Sequence, residues 1–208
     1  MQSVALIDYG SGNLRSAEKA LIRAADGRAE VIVTDRPELI ARADRLVLPG
    51  VGAFAACMAA LEARPGVIEA MTEAAHMRGA PFLGICVGMQ LMATRGLEFG
   101  ETEGLGWIAG DVKRLEVEDP HLKVPHMGWN EVTPTQASDL FGAPETMYFT
   151  HSFAFHPAEA EDVAATAEHG QRFAAAVERG NMAGVQFHPE KSQGSGLALL
   201  ARFLEWRP

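Results

Sequence analysis

Cysteine is nearly absent: only Cys57 and Cys86 occur in 208 residues, with no C-x-x-C pair. That excludes a disulfide framework and suits a reducing compartment. No apolar run reaches the roughly 18 residues that a membrane span needs. The opening Met1-Gln2-Ser3-Val4-Ala5-Leu6-Ile7-Asp8 enters a strand-like run at once, without the basic and apolar regions of a secretory leader. A cytoplasmic protein without membrane association is therefore expected. Basic charge is also in deficit, with 18 Lys and Arg against 27 Asp and Glu and a formal net charge of −9. Phosphate neutralisation supplies most nucleic-acid affinity, so no nucleic-acid partner is expected. The seven histidines lack ligand spacing such as H-E-x-x-H, so neither a metal nor a cofactor is expected. Repeats, low-complexity tracts and linkers are missing too, and residues 1–208 read as a single domain.

What is present is ordinary globular material, 48% hydrophobic and 22% charged, enough to build a core. Short apolar runs at Val4–Asp8, 31–33, 46–48 and Pro81–Ile85 read as buried strands. Helical patterns alternate with them over Leu14–Ala25, Ala53–Ala63, Val67–Met77 and Gly88–Ala93. The second half predicts strands at Val112–Val117, Thr146–Phe155, Val163–Ala167, Phe173–Val177 and Ala183–Phe187, then a closing helix from Gly196 to Trp206. The expected fold is α/β: an open, mostly parallel central sheet flanked by helices, with antiparallel strand additions in the second half.

Three segments carry chemistry. Gly84-Ile85-Cys86-Val87-Gly88 stands where a strand becomes a helix. This is the G-x-nucleophile-x-G elbow with Cys as nucleophile, at a helix N-terminus that favours the thiolate. Cys57, in the Ala-rich Ala55–Ala59, reads as a small core residue. Pro49-Gly50-Val51-Gly52 ends another strand at the same sheet edge, where such folds bind ligands. Its backbone N–H groups, with that of Val87, can hold a tetrahedral oxyanion. Two glycines around Val51 also make peptide reorientation cheap, which would suit a switch. Third, Gly184–Glu190 ends in His188-Pro189-Glu190. Residues i and i+2 of an extended chain point the same way, so Glu190 can orient His188 toward Cys86. H-x-E alone is a weak signal; Cys, His and Glu with an elbow and a second Gly-rich loop are a strong one.

Together these segments resemble the class I, or triad, glutamine amidotransferase family. Asp8–Leu14 and Pro125-His126-Met127-Gly128-Trp129-Asn130 are most similar to its branch of glutaminase subunits of imidazole glycerol phosphate synthase. Tyr148–Phe153 and Gly184–Ser192 match as well, so the resemblance spans nearly the whole chain. It implies Cys86, His188 and Glu190 as catalytic residues and Val51 and Val87 as oxyanion donors. It further implies that Gly52, Gln90, Glu98, His151, Ser152 and Phe153 bind glutamine, Phe153 standing where Tyr is common. Tyr148 and Lys191 match positions at the interface with a (β/α)₈ cyclase subunit, Lys191 resembling a lysine that pairs with a partner carboxylate. Trp129 and Met127 join them as interface candidates, because aromatics and Met are enriched at interfaces; core packing is the alternative reading. The implied reaction is hydrolysis of glutamine, with ammonia passed to the cyclase, in histidine biosynthesis.

Other readings are weaker. A dinucleotide site at Gly10-Ser11-Gly12 fails because Arg15 occupies the third small position. A glutaminase for anthranilate or guanylate synthesis shares the elbow and the H-P-E segment. A cysteine peptidase on the same fold conflicts with the glutamine-binding residues. A non-catalytic module conflicts with the intact Cys86, His188 and Glu190.

Overall fold

Alternation of apolar strands with helices builds the first half, in a computed structural model that describes residues 1–208. In chain order come β1 (Gln2–Ile7), α1 (Leu14–Ala25), β2 (Ala29–Thr34), α2 (Pro37–Arg42), β3 (Arg45–Gly50), α3 (Phe54–Glu62), α4 (Val67–Thr72), β4 (Phe82–Cys86) and α5 (Val87–Gln90). The short β5 (Arg95–Gly96) and β6 (Thr102–Glu103) precede β7 (Gly110–Arg114), β8 (His126–Pro134), β9 (Glu145–His151) and β10 (Phe153–Pro157). The chain finishes with β11 (Val163–His169), β12 (Gln171–Arg179), β13 (Met182–Val185) and α6 (Gln193–Glu205).

The main sheet has the order β2-β1-β3-β4-β13-β12-β11-β8-β9. Its first five strands are parallel, and antiparallel pairs extend it from β13 to β9. This is the mixed sheet that the sequence predicts. β3, β4 and β13 are buried along their whole length, as strands covered on both faces must be. From β1 the chain moves out to β2, then crosses back to β3. Right-handed crossovers therefore put α1 on one face and α2, α3 and α4 on the other. Contacts agree: α1 packs on α6, while α2 and α3 pack on α4. The strand order reverses between β1 and β3, which opens a crevice at the carboxyl edge of the sheet. Sixty-two buried residues form one continuous apolar cluster through this scaffold. No helix is long and apolar enough to cross a membrane.

Several expected elements differ. The helix expected over Gly88–Ala93 is the single turn α5, one residue earlier at its start. Carbonyls of Leu91, Met92 and Ala93 accept from N–H groups of residues 105–108 instead of continuing a helix. The expected strand Thr146–Phe155 is two strands, β9 and β10, broken at Ser152. β9 stays in the main sheet, whereas β10 joins a second sheet, β10-β7-β5-β6. Apolar alternation runs on through the break, so periodicity does not mark it. The helix expected over Val67–Met77 is α4 followed by a π-helical turn, Glu73–Met77. α2, β5, β6 and β8 were not anticipated. β8 alternates exposed positions with buried or half-buried ones, but Gly128, Asn130 and Glu131 are residue types depleted in strands.

Candidate active site

Cys86 closes β4 with φ 55° and ψ −112°, a conformation that costs a non-glycine residue about 1–3 kcal/mol. Packing holds it there. A Cβ on Gly84 would lie 2.6 Å from the Gly88 carbonyl oxygen, and one on Gly88 would lie 1.9 Å from that of Leu48. The elbow glycines are thus required by close backbone approach. Because α5 is one turn long, no long macrodipole backs Cys86 at its N-terminus.

His188 is fixed from both sides along its backbone. Its N–H donates to the Tyr148 carbonyl at 2.9 Å, and the Ser192 hydroxyl donates to its carbonyl at 2.7 Å. Beyond it the chain does not stay extended; Pro189–Lys191 forms a 3₁₀ turn. The turn nonetheless brings Glu190 Oε1 to 2.8 Å from His188 Nδ1, with both side chains buried. A carboxylate accepts, so Nδ1 carries a proton. Nε2 is buried with no other residue bonded to it, and the His188 side chain lines the cavity together with Cys86. Burial opposes a charged ring here, but contact with Cys86 and Glu190 outweighs it and raises the His188 pKa to about 9. An imidazolium that has taken a proton from the thiol is therefore stabilised.

The loop after β3 lies against the elbow. A Cβ on Gly50 would come within 2.7 Å of the Gly88 nitrogen and 2.8 Å of the Tyr9 hydroxyl, so Gly50 is there for space. Gly52 differs: its φ is +101° and nothing lies within 4 Å of an added Cβ. The Tyr9 hydroxyl donates to the Pro49 carbonyl at 2.8 Å. Burial, with Cys57 nearby, pushes the phenol pKa well above its ordinary value, so it remains a donor. Ser11 Oγ donates to the Val51 carbonyl at 2.8 Å, and Cys57 Sγ lies 3.3 Å from the same oxygen. Cys57 is buried, as expected, but it also touches the loop.

These parts enclose a cavity of about 400 Å³. Cys86, His188, Val51, Val87, Gly52, Gln90, Glu98, His151, Ser152, Phe153 and Lys191 all line it; Glu190 stands behind His188. Gln90 donates both amide hydrogens within the protein, to the Phe153 carbonyl at 2.9 Å and to Gln186 Oε1 at 3.0 Å. Its carbonyl oxygen is left for the cavity. Glu98 Oε2 accepts from the Phe54 N–H at the start of α3, at 2.8 Å. The expected interface residues cluster beside the site: Trp129 and Tyr148 are cross-strand partners with rings 5.8 Å apart. Trp129 and its neighbour Met127 are exposed. No three His, Cys, Asp or Glu side chains are grouped to hold a metal ion.

Sequence reasoning did not single out Pro125 and Thr150 as wall residues, nor Gln186. Gln186 Nε2 lies 3.7 Å from Cys86 Sγ. Its spacing of two from His188 was the available signal, since alternate residues at a strand end share a face.

Residues 5–206 match the family model "Glutamine amidotransferase class-I". The chain is 63% identical to the imidazole glycerol phosphate synthase subunit HisH of Caulobacter vibrioides, over all of both chains. It is 55% identical to HisH of Cereibacter sphaeroides, over 98% of each. A solved structure described as a glutamine amidotransferase superposes with TM-score 0.72 at 17% identity, over 97% of each chain, a likeness of fold alone.

Proposed function

The chain belongs to the class I glutamine amidotransferase family, as a glutaminase subunit of the HisH type, and on that premise we propose how its residues act. Cys86 attacks the side-chain amide carbon of glutamine, and His188 receives the thiol proton. The Val51 and Val87 N–H groups stabilise the oxyanion. The tetrahedral adduct collapses as the C–N bond breaks, and His188 returns the proton to departing ammonia. Water, deprotonated by His188, then cleaves the thioester to glutamate and free thiol. Glu190 holds the His188 tautomer and supports its charge without itself transferring a proton. The observation that carries this reading is the 2.8 Å bond from His188 Nδ1 to Glu190, with Nε2 unpaired and His188 and Cys86 lining one cavity.

Gln90, Glu98, Ser152 and the backbone near Gly52 would grip the amino acid. Both ring nitrogens of His151 are occupied, one by the Phe153 carbonyl and one by His126, so its hold on substrate runs through the backbone. The released ammonia needs an acceptor. The HisH relatives support a cyclase subunit as partner, docked over Met127, Trp129, Tyr148 and Lys191 at the cavity mouth.

The decisive experiment compares nitrogen sources in the complex with the cyclase. Cys86→Ala should abolish glutamine-dependent synthesis and leave synthesis from ammonium salt intact. Normal use of glutamine by Cys86→Ala would falsify the mechanism. Failure of the purified chain to bind the cyclase would remove the partner.

A further inference from the structure

Outside the triad, β8, β9 and β11 bring three histidines together, His126, His151 and His169. His126 and His151 are cross-strand partners, both buried, with His126 Nδ1 3.1 Å from His151 Nε2. The His126 ring is held in place by stacking on Phe149 and His169, with ring centroids 4.9 and 4.2 Å away. Asn130 Nδ2 is 3.2 Å from His126 Nε2, and His151 Nδ1 is 2.9 Å from the Phe153 carbonyl oxygen.

Both ends of this line have a fixed chemical sense. Asn130 Oδ1 accepts from the Glu131 N–H at 2.9 Å, and Nδ2 donates to the Glu168 carbonyl at 2.8 Å, so the amide cannot be turned round. Its second Nδ2 hydrogen therefore points at His126 Nε2, which must present a lone pair. At the far end a carbonyl only accepts, so His151 Nδ1 must carry a hydrogen. Between them, His126 Nδ1–H donates to a bare His151 Nε2. One arrangement of protons satisfies every atom, and it leaves both rings neutral. Burial acts in the same sense, lowering His126 to about 4 and His151 to about 3.

The line does not stop at Phe153. The same carbonyl accepts from Gln90, Gln90 donates to Gln186, and Gln186 donates toward Cys86 Sγ. We propose that Asn130, His126 and His151 are positioning residues of the glutaminase site. Their one-directional, neutral hydrogen-bond chain fixes the Phe153 carbonyl, and through it the Gln90 and Gln186 amides beside substrate and sulfur. This deepens the glutaminase reading and rests on it.

Two measurements test it on the full chain. The first is imidazole ¹⁵N NMR at pH 7 on histidine-labelled protein. His126 and His151 should both be neutral Nδ1–H tautomers. Asn130→Asp, isosteric but only an acceptor, should drive His126 to the Nε2–H tautomer or the imidazolium. An Nε2–H tautomer or a charged ring at either position in the unsubstituted protein overturns the proposal. The second is glutamate release in the cyclase complex, with a melting curve for each variant to establish folding. His126→Ala, which removes the Nδ1 donor, and Asn130→Asp should each raise glutamine KM about tenfold, the scale of one lost hydrogen bond; His126→Asn, which keeps a donor where Nδ1 stands, should recover part of that loss. Folded variants with reversed tautomers and unaltered kinetics overturn the positioning role. An unsubstituted complex that releases no glutamate sinks the glutaminase reading, and the role with it, whatever the tautomers are.

Discussion

Glu190 acts on His188 through one short bond in a buried pair, so its effect is electrostatic as much as geometric. Removing the carboxylate charge takes away part of what raises the His188 pKa to about 9. With the imidazolium as the form that protonates the departing amide nitrogen, glutamine hydrolysis should fall off on the alkaline side near pH 9. Glu190→Gln should move that limb to lower pH and reduce the rate less than His188→Ala does. The check is the pH–rate profile of glutamate release; an unmoved limb would remove the orienting role. Cys86 sits at the other end of the same pair. Its positive φ shows why the elbow needs its neighbours: Gly84 and Gly88 are the only residue type that admits the crossing backbone.

Among elements, the loop after β3 is where the sequence argument and the packing diverge. Both Gly50 and Gly52 invite a flexible reading, yet only Gly52 has the conformation that favours glycine. Gly50→Ala would be a packing lesion against Tyr9, Val87 and Gly88, lowering stability before it says anything about the loop. Gly52→Ala meets open space and costs only backbone strain, about 1–2 kcal/mol. If Val51 donates to the oxyanion in one loop orientation, Gly52→Ala should blunt cyclase-stimulated glutamine hydrolysis by up to about 10²-fold with little change in KM. Equal stimulation in the variant would rule out the switch. The turn after His188 links the site to the proposed docking face, because Lys191 follows Glu190 and also lines the cavity. Lys191→Glu should weaken stimulation by the cyclase more than basal hydrolysis. Titrating cyclase against glutamate release measures the difference, and unchanged stimulation would count against docking through this residue.

For the whole molecule, three buried histidines set opposing pH dependences. Folded His188 holds its proton more tightly than its ordinary value of 6.5, so its contribution is full below about pH 6.5 and is lost as pH rises through about 9. Folded His126 and His151 hold theirs more weakly, so their contribution is full above about pH 6.5 and is lost as pH falls toward about 4 and about 3. Each is worth up to roughly 1.4 kcal/mol per pH unit inside its window. These three rings together favour stability near pH 6.5 with a decline on both sides; on the acid side the half-buried His156, whose pKa burial also lowers, adds to the loss. Denaturant titrations from pH 4 to 9 measure this. His126→Asn should flatten the acid limb and leave the alkaline one alone.

The parallel half of the fold was legible in the sequence because its inner strands β3 and β4 are buried on both faces and read, with the apolar stretches of β1 and β2, as short apolar runs between helical repeats. The elbow and the Cys86, His188 and Glu190 set were legible for a related reason: tight turns and hydrogen-bonding pairs impose residue types at short spacing. Even there the backbone route differed, since a 3₁₀ turn rather than an extended chain joins His188 to Glu190. What the sequence could not hold was long-range pairing. The break at Ser152, the second sheet and the truncation of α5 all follow from backbone partners far along the chain. The Asn130–His126–His151 line and the reach of Gln186 to Cys86 belong to the same class. A hydrogen bond's partner and direction depend on which strands lie side by side, and only the assembled sheet decides that.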